Sequence, residues 1–266
     1  MKEEKTIRQI IDGAARWIEG YCDKSYIKNL IVGVSGGIDS AVITRLCEKT
    51  NRQVYCYSMP MGDINNWPES TTRAIELCTV NKGVELRPNI HFNTVSIGFI
   101  VEAYKKEQIG STKLNEGNLR SRIRANILYD KAAEHNGIVV GTGNLDEDYI
   151  GYFTKGGDGL VDICPISAIH KSVVYEMAKI LDVPDSIINA VPTAELWEGQ
   201  TDEDELGMTY DEVKWAIDAP EGPLPEGMTE RQKFVLQKVG NMHKKNKHKL
   251  QYPPIYNPYG EEDWSF

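Results

Sequence analysis

The sequence predicts an α/β protein built on a doubly wound parallel sheet, with helical segments at both termini. Three observations carry that expectation. Short apolar runs alternate with helix-periodic stretches between residues 30 and 140. A glycine-rich stretch, Ser35-Gly-Gly-Ile-Asp-Ser40, lies where one such run gives way to a helical pattern. No internal repeat, low-complexity tract or Pro/Ser linker divides the 266 residues, so residues 1–266 read as a single domain.

Ile7, Ile10, Ile11, Ala14, Trp17, Ile18 and Tyr21 recur at helical spacing and predict an amphipathic first helix whose apolar face needs a partner surface. Residues 30–34 then read as a buried strand, and Ala41, Ile43, Leu46 and Cys47 as the helix after it. Residues 53–58 predict a second strand, Pro68 with Glu69 opens a further helix, and residues 93–97 predict a third strand. A long helix over about 115–135 is closed by Asn136-Gly137, and residues 138–140 form a fourth strand ending in Gly141-Thr-Gly143. Ligands of such sheets sit beyond the carboxyl ends of the strands, which directs attention to the loops after Val34, Ser58 and Val140. Past Pro192 the pattern loosens into an acidic stretch, 195–205, expected as a mobile loop, followed by helices near 210–217 and 230–241.

Thirty Lys+Arg against 39 Asp+Glu give a formal net charge of −9, which argues against a nucleic-acid backbone as the main partner. A local basic pocket for a small anion is compatible with that balance. With 41% hydrophobic and 26% charged residues the chain is an ordinary globular one. No apolar run approaches the roughly 18 residues of a membrane-spanning helix, and Met1-Lys-Glu-Glu-Lys5 begins no secretory signal. A cytoplasmic protein without a membrane partner is expected. The five cysteines include no C-x-x-C pair and read as reduced, mostly buried thiols.

Between a buried strand and a helix, successive backbone N–H groups and the positive helix end form an anion cradle, and phosphate is its natural guest. Two glycines let the backbone approach closely, serine hydroxyls add donors, and an aspartate in the loop can hold Mg²⁺ on the phosphates. The chain contains no G-x-x-x-x-G-K-[ST], so this is no Walker loop. A plain glycine-rich turn capped by Ser and Asp is the other reading of an isolated S-G-G. The whole hexapeptide resembles the pyrophosphate loop, S-G-G-x-D-S, of the N-type ATP pyrophosphatases, whose fold is adenine nucleotide α-hydrolase-like and Rossmann-like. That resemblance implies cleavage of ATP between the α- and β-phosphates to adenylate an oxygen that a nitrogen or sulfur nucleophile then displaces.

Four more stretches narrow the resemblance: Gly117-Asn-Leu-Arg-Ser-Arg122-Ile-Arg124, Val139-Val-Gly-Thr142-Gly-Asn-Leu-Asp-Glu147, Gly151-Tyr-Phe-Thr-Lys155-Gly-Gly-Asp158-Gly-Leu-Val-Asp162 and Pro192-Thr193-Ala-Glu-Leu-Trp. In order and spacing they are similar to the ammonia-dependent NAD synthetases, and no glutaminase domain fits in the remainder. The resemblance implies that Gly33, Val34, Ser35, Gly36, Gly37, Ile38, Asp39 and Ser40 cradle ATP, the co-substrate, with Thr142, Lys171 and Thr193 also on the nucleotide. It makes Asp39 and Glu147 the Mg²⁺ ligands and Asp39 and Lys171 the catalytic pair. It assigns deamido-NAD⁺ to Arg122, Lys155, Asp162, His248 and Lys249, names ammonia as the nitrogen donor, and implies a homodimer with this site at its interface.

Some residues admit a second reading. Glu147 also suits a solvated helix start beside Asp146 and Asp148, and residues 244–249 suit a basic helix end facing its own dipole. Arg120 and Arg124 share a helix face that Arg122 does not, which fits one substrate-binding arginine and two structural ones. Asp158 and Asp162 are both candidates for taking a proton from ammonium. Two stretches depart from the family pattern: Met59-Pro-Met61-Gly62, where many relatives place a tyrosine, and Leu250-Gln-Tyr-Pro253 at the tail. The competing functions are a tRNA thiolase, which shares the loop but wants catalytic cysteines and a basic RNA surface, and a non-catalytic nucleotide-binding regulator.

Overall fold

The computed structural model describes residues 5–62, 65–79, 88–192, 201–219, 227–254 and 256. Strand β1 (Asn29–Gly33) pairs in parallel with β2 (Gln53–Ser58), which pairs with β3 (Ile90–Thr94). β4 (Gly137–Val140) returns to the other side of β1, giving the order β3-β2-β1-β4. The strand order therefore reverses between β1 and β4, and a sheet of this kind opens a crevice beyond the carboxyl ends there.

Alternating side chains on the strands build two cores. Leu30, Val32, Val54, Cys56 and Val140 face one side, packed by α1 (Ile7–Lys24), α2 (Ile38–Glu48) and α3 (Glu69–Thr79). Ile31, Tyr57 and Val139 face the other, covered by α4 (Gly98–Lys106) and α5 (Lys113–Glu134). After β4 come α6 (Leu145–Ile150), α7 (Lys171–Ile180) and α8 (Asp185–Ile188); Val174 and Met177 of α7 join the first core. A third cluster ties Ile150 of α6 to α9 (Asp202–Leu206), α10 (Tyr210–Asp218) and α11 (Glu230–Asn246) through Leu206, Val213, Val235 and Val239. A 3-10 turn, Lys247–Lys249, follows α11.

The doubly wound parallel sheet expected from the sequence is present, with corrections in detail. The third strand runs over Ile90–Thr94, three residues before its expected start, because Ile90 and Phe92 face the first core. Val95 N–H and Ile97 N–H still donate to Ser58 O (2.8 Å) and Pro60 O (2.9 Å), and Ile97 is buried as it leads into α4, which explains the apolar alternation read as strand. The first helix finds its partner inside the chain: Ile11, Ala15, Ile18 and Cys22 are buried at four- and three-residue spacing against α2 and α7. Residues 193–200, which include Thr193 and the first part of the acidic stretch, lie outside the described residues, but Asp202–Leu206 is a helix and not a loop, capped by Thr201 accepting from Asp204 N–H. Four cysteines are buried, Cys164 is exposed, and all five are free thiols. Among the described residues no helix is long and apolar enough to cross a membrane.

Candidate active site

The loop after β1 begins at Val34, whose N–H donates to Tyr57 O at 2.9 Å, so the strand pairing runs up to the site. Ser35 and Ser40 brace the turn: Ser35 N–H donates to Ser40 Oγ (3.3 Å), Ser40 Oγ donates to Gly37 O (2.9 Å), and Gly37 N–H donates to Ser35 Oγ (3.2 Å). Gly36 has φ +83°, and a Cβ there would lie 2.0 Å from Ser70 O, so no other residue fits. Arg73 Nε locks the same peptide by donating to Gly36 O at 3.1 Å. Gly37 is the N-cap of α2 and offers no side chain to the helix end, while Ile38 is buried beneath it. The first-turn N–H groups of α2 are left to whatever anion the loop holds.

Asp39, in that first turn, meets two residues from beyond β4. Asn144, fully buried, caps α6 by accepting from Asp146 N–H and Glu147 N–H on its Oδ1 (3.0 and 3.1 Å) and donates from Nδ2 to Asp39 Oδ1 (3.1 Å). Lys171, the first residue of α7, places its Nζ 2.5 Å from Asp39 Oδ2 and 3.1 Å from Glu147 Oε1, with its side chain only 4% exposed. Asp146, 1% exposed, fixes that helix start by accepting from Lys171 N–H (2.8 Å) and pairing with His170 Nδ1 (2.6 Å). Three helix starts are thus pinned around one point by two buried side chains.

Electrostatics follow the geometry. Burial disfavours the Lys171 ammonium, but the Asp39 and Glu147 carboxylates outweigh it and hold the group well above an ordinary lysine. Burial pushes Glu147 up to about 7, against the opposing pull of Lys171. Glu147 therefore begins a helix, as its alternative reading has it, but is paired and not solvated. Two carboxylates share one ammonium beside an anion-binding loop, and Glu147 Oε2 has no hydrogen bond among the described residues. Such a pair of hard oxygen donors fits Mg²⁺, which is usually held by one or two carboxylates with phosphate oxygens and water completing its shell.

Thr142 sits half-buried in the turn between Gly141 and Gly143. Three of the residues expected on the dinucleotide, Arg122, Lys155 and His248, are linked to one another by hydrogen bonds. Arg122 Nε donates to Lys155 O (3.3 Å), and Lys155 Nζ donates to His248 O (3.0 Å). Lys249 Nζ donates to Gly151 O (2.7 Å) and Phe153 O (2.8 Å) over the Phe153 ring, anchoring the C-terminal turn to the loop. Gly151 has φ +67°, and a Cβ there would lie 2.3 Å from Asn246 Cβ, so glycine admits the end of α11. Arg120 pairs with Glu116 and Arg124 Nε donates to Met59 O (3.1 Å), which leaves Arg122 as the exposed member of the three. Asp162 accepts from Val139 N–H (2.7 Å) and Tyr129 Oη (3.3 Å), and Asp158 accepts from Ser121 Oγ (2.6 Å) and Thr154 N–H (3.0 Å). Both carboxylates brace backbone.

Asn144, Asp146, Asp202 and Tyr210 were not singled out by sequence reasoning. Asn144 carries a usable signal, an N-cap residue directly before a helical turn. Tyr210 carries none, because only the packing of α10 brings its hydroxyl 3.1 Å from Glu147 Oε1.

A family model described as NAD synthase matches residues 10–253. The NH(3)-dependent NAD(+) synthetase of Archaeoglobus fulgidus is 33% identical over 255 residues, spanning 96% of this chain and 97% of that protein. That of Methanococcoides burtonii is 38% identical over 255 residues, spanning 91% and 93%. Among solved structures, the NMN synthetase from Francisella tularensis superposes with a TM-score of 0.83 at 33% identity, covering 96% of this chain and 100% of that one. The NH3-dependent NAD synthetase from Campylobacter jejuni superposes with a TM-score of 0.78 at 25% identity, covering 95% and 100%.

Proposed function

The chain belongs to the NAD synthase family, and from that premise we propose that its site amidates deamido-NAD⁺ with ammonia, at the expense of ATP, to give NAD⁺, AMP and pyrophosphate. It is a ligase of NAD biosynthesis on the adenine nucleotide α-hydrolase-like fold. The observation that carries the reading is Lys171 between Asp39 and Glu147 at the mouth of the Ser35–Ser40 loop.

The pyridine carboxylate attacks the α-phosphorus of ATP, the bond to the bridging oxygen of the β-phosphate breaks, and pyrophosphate leaves from an acyl-adenylate. Ammonia then adds to the acyl carbon, AMP departs with one former carboxylate oxygen, and the surplus proton passes to solvent. No protein nucleophile is required. The loop N–H groups and Lys171 would stabilise charge building on the phosphates, and positioning supplies the rest of the catalysis. Asp39 and Glu147 would hold Mg²⁺, which when bound neutralises phosphate charge and orients the leaving group. Arg122 and Lys155 supply cations for the substrate's phosphates and free carboxylate. Thr142 borders the nucleotide in this reading, and Thr193 would join it.

A second substrate is favoured by the likeness to the Francisella NMN synthetase. Nicotinate mononucleotide presents the same pyridine carboxylate, and the cluster around Arg122 suits its single phosphate. Purified protein given ATP, Mg²⁺, ammonium and either substrate separates the readings by kcat/KM. Higher efficiency with deamido-NAD⁺ supports the first reading; preference for the mononucleotide supports the second.

We further infer a cytoplasmic homodimer. Phe99 is 89% exposed on α4, and Ile100, Tyr104, Ile109 and Leu114 continue an apolar surface toward the start of α5. That surface, and not the already docked α1, is the candidate interface.

A further inference from the structure

Tyr210 reaches the site from the first turn of α10, whose last residue, Asp218, touches only its edge through His170 Nε2 at 3.2 Å. The residue is 7% exposed, its ring centroid is 4.8 Å from Lys171 Nζ, and its hydroxyl is 3.1 Å from Glu147 Oε1 and 2.9 Å from Asp202 Oδ2. Asp202 is 5% exposed and also receives Tyr152 Oη at 3.4 Å. A phenol donates one proton, so the hydroxyl serves Glu147 or Asp202 but not both at once. Packing alone needs only the ring, since a phenylalanine would fill the same space against Lys171. A hydroxyl placed between the half-buried carboxylate of Glu147 and the buried one of Asp202, on two different helices, does something a ring cannot.

We propose that Tyr210 is a positioning residue of the nucleotide–metal site. Its ring backs the Lys171 ammonium, and its hydroxyl steadies Glu147, turning to Asp202 when Glu147 is engaged by a divalent cation. The C-terminal helices thereby set the aim of a carboxylate that belongs to α6. The proposal rests on the reading of Glu147 as a cation ligand.

The test uses the full chain and Mn²⁺ with ATP as the probe, with free Mn²⁺ followed by electron paramagnetic resonance. Tyr210→Phe should weaken Mn²⁺ binding about three- to tenfold, the scale of one net hydrogen bond, with the KM for deamido-NAD⁺ unchanged. In a Glu147→Gln background the same change should cost nothing further, because the hydroxyl acts through that carboxylate. Tyr210→Leu should in addition raise the KM for ATP. Wild-type Mn²⁺ affinity in Tyr210→Phe, or an equal loss in both backgrounds, overturns the proposal. Unchanged affinity in Glu147→Gln alone instead sinks the ligand reading beneath it. Should Tyr210→Phe fail to fold, Asp202→Asn carries the test: weakened Mn²⁺ binding supports the proposal and wild-type binding overturns it.

Discussion

The ammonium of Lys171 lies 2.5 Å from the carboxylate of Asp39 across 132 residues of sequence, joining the first turn of α7 to the first turn of α2. Everything else at the site is arranged around that meeting: Asn144 bridges α2 to α6, and Asp146 bridges α6 to α7.

Lys171→Met leaves the Asp39 and Glu147 carboxylates facing each other without their cation. Breaking a fully buried pair costs about 3–5 kcal/mol, and partial exposure of the two carboxylates, 16% and 18%, brings the expectation to about 2 kcal/mol. Urea unfolding without Mg²⁺ should show that loss, and adding Mg²⁺ should recover more stability in the variant than in the wild type. Equal responses to Mg²⁺ would mean that the ion does not enter between these carboxylates.

Asp39→Asn keeps the size and the contact with Asn144 but removes the charge. Turnover should fall at least about 100-fold, the scale of losing one charge stabiliser in a phosphoryl-type transition state. Near-normal turnover at saturating Mg²⁺ would reduce Asp39 to a helix-start residue.

The sheet was legible because its determinants are local. The run at 30–34 and the S-G-G-x-D-S stretch after it declare a strand, a loop and a helix within about a dozen neighbours, and the structure builds Asn29–Gly33 and Ile38–Glu48 there. What was not legible depends on tertiary contact. The start of β3 was misplaced because Val95 and Ile97 keep donating hydrogen bonds to Ser58 O and Pro60 O past the end of the strand, and Ile97 is buried. No local feature of the sequence marks Lys171, which the family resemblance alone singles out, and only the packing of α7 against α2 makes it 3% exposed. The helix that begins at Tyr210 was legible but its contact with Glu147 was not, and the acidic composition around Asp202 masked the cap at Thr201.

Gly36→Ala meets both obstacles at once, a left-handed φ of +83° and Ser70 O at 2.0 Å from the new Cβ. The strained backbone alone costs about 1–3 kcal/mol, and relief requires the start of α3 to move away from the loop. A lower melting temperature with a raised KM for ATP is expected; unaltered values for both would show that the loop does not need its observed shape.

Arg122→Ala should raise the KM for deamido-NAD⁺ about tenfold or more while moving the KM for ATP little, because a charge-assisted partner is lost and the Ser35–Ser40 loop is untouched. An effect confined to ATP reassigns this arginine to the nucleotide.

Phe99→Asp should convert a dimer into monomers in sedimentation velocity, since it places a charge in the apolar surface of α4. A wild-type protein that sediments as a fully active monomer at micromolar concentration contradicts the interface.

The fate of the substrate's carboxylate oxygen reports most directly on the chemistry. Deamido-NAD⁺ carrying heavy oxygen in its carboxylate, incubated with the protein, ATP, Mg²⁺ and ammonium, should yield one AMP and one pyrophosphate per NAD⁺, with one labelled oxygen in the AMP. Stoichiometric ADP, or AMP without the label, would contradict adenylation of that carboxylate at this site.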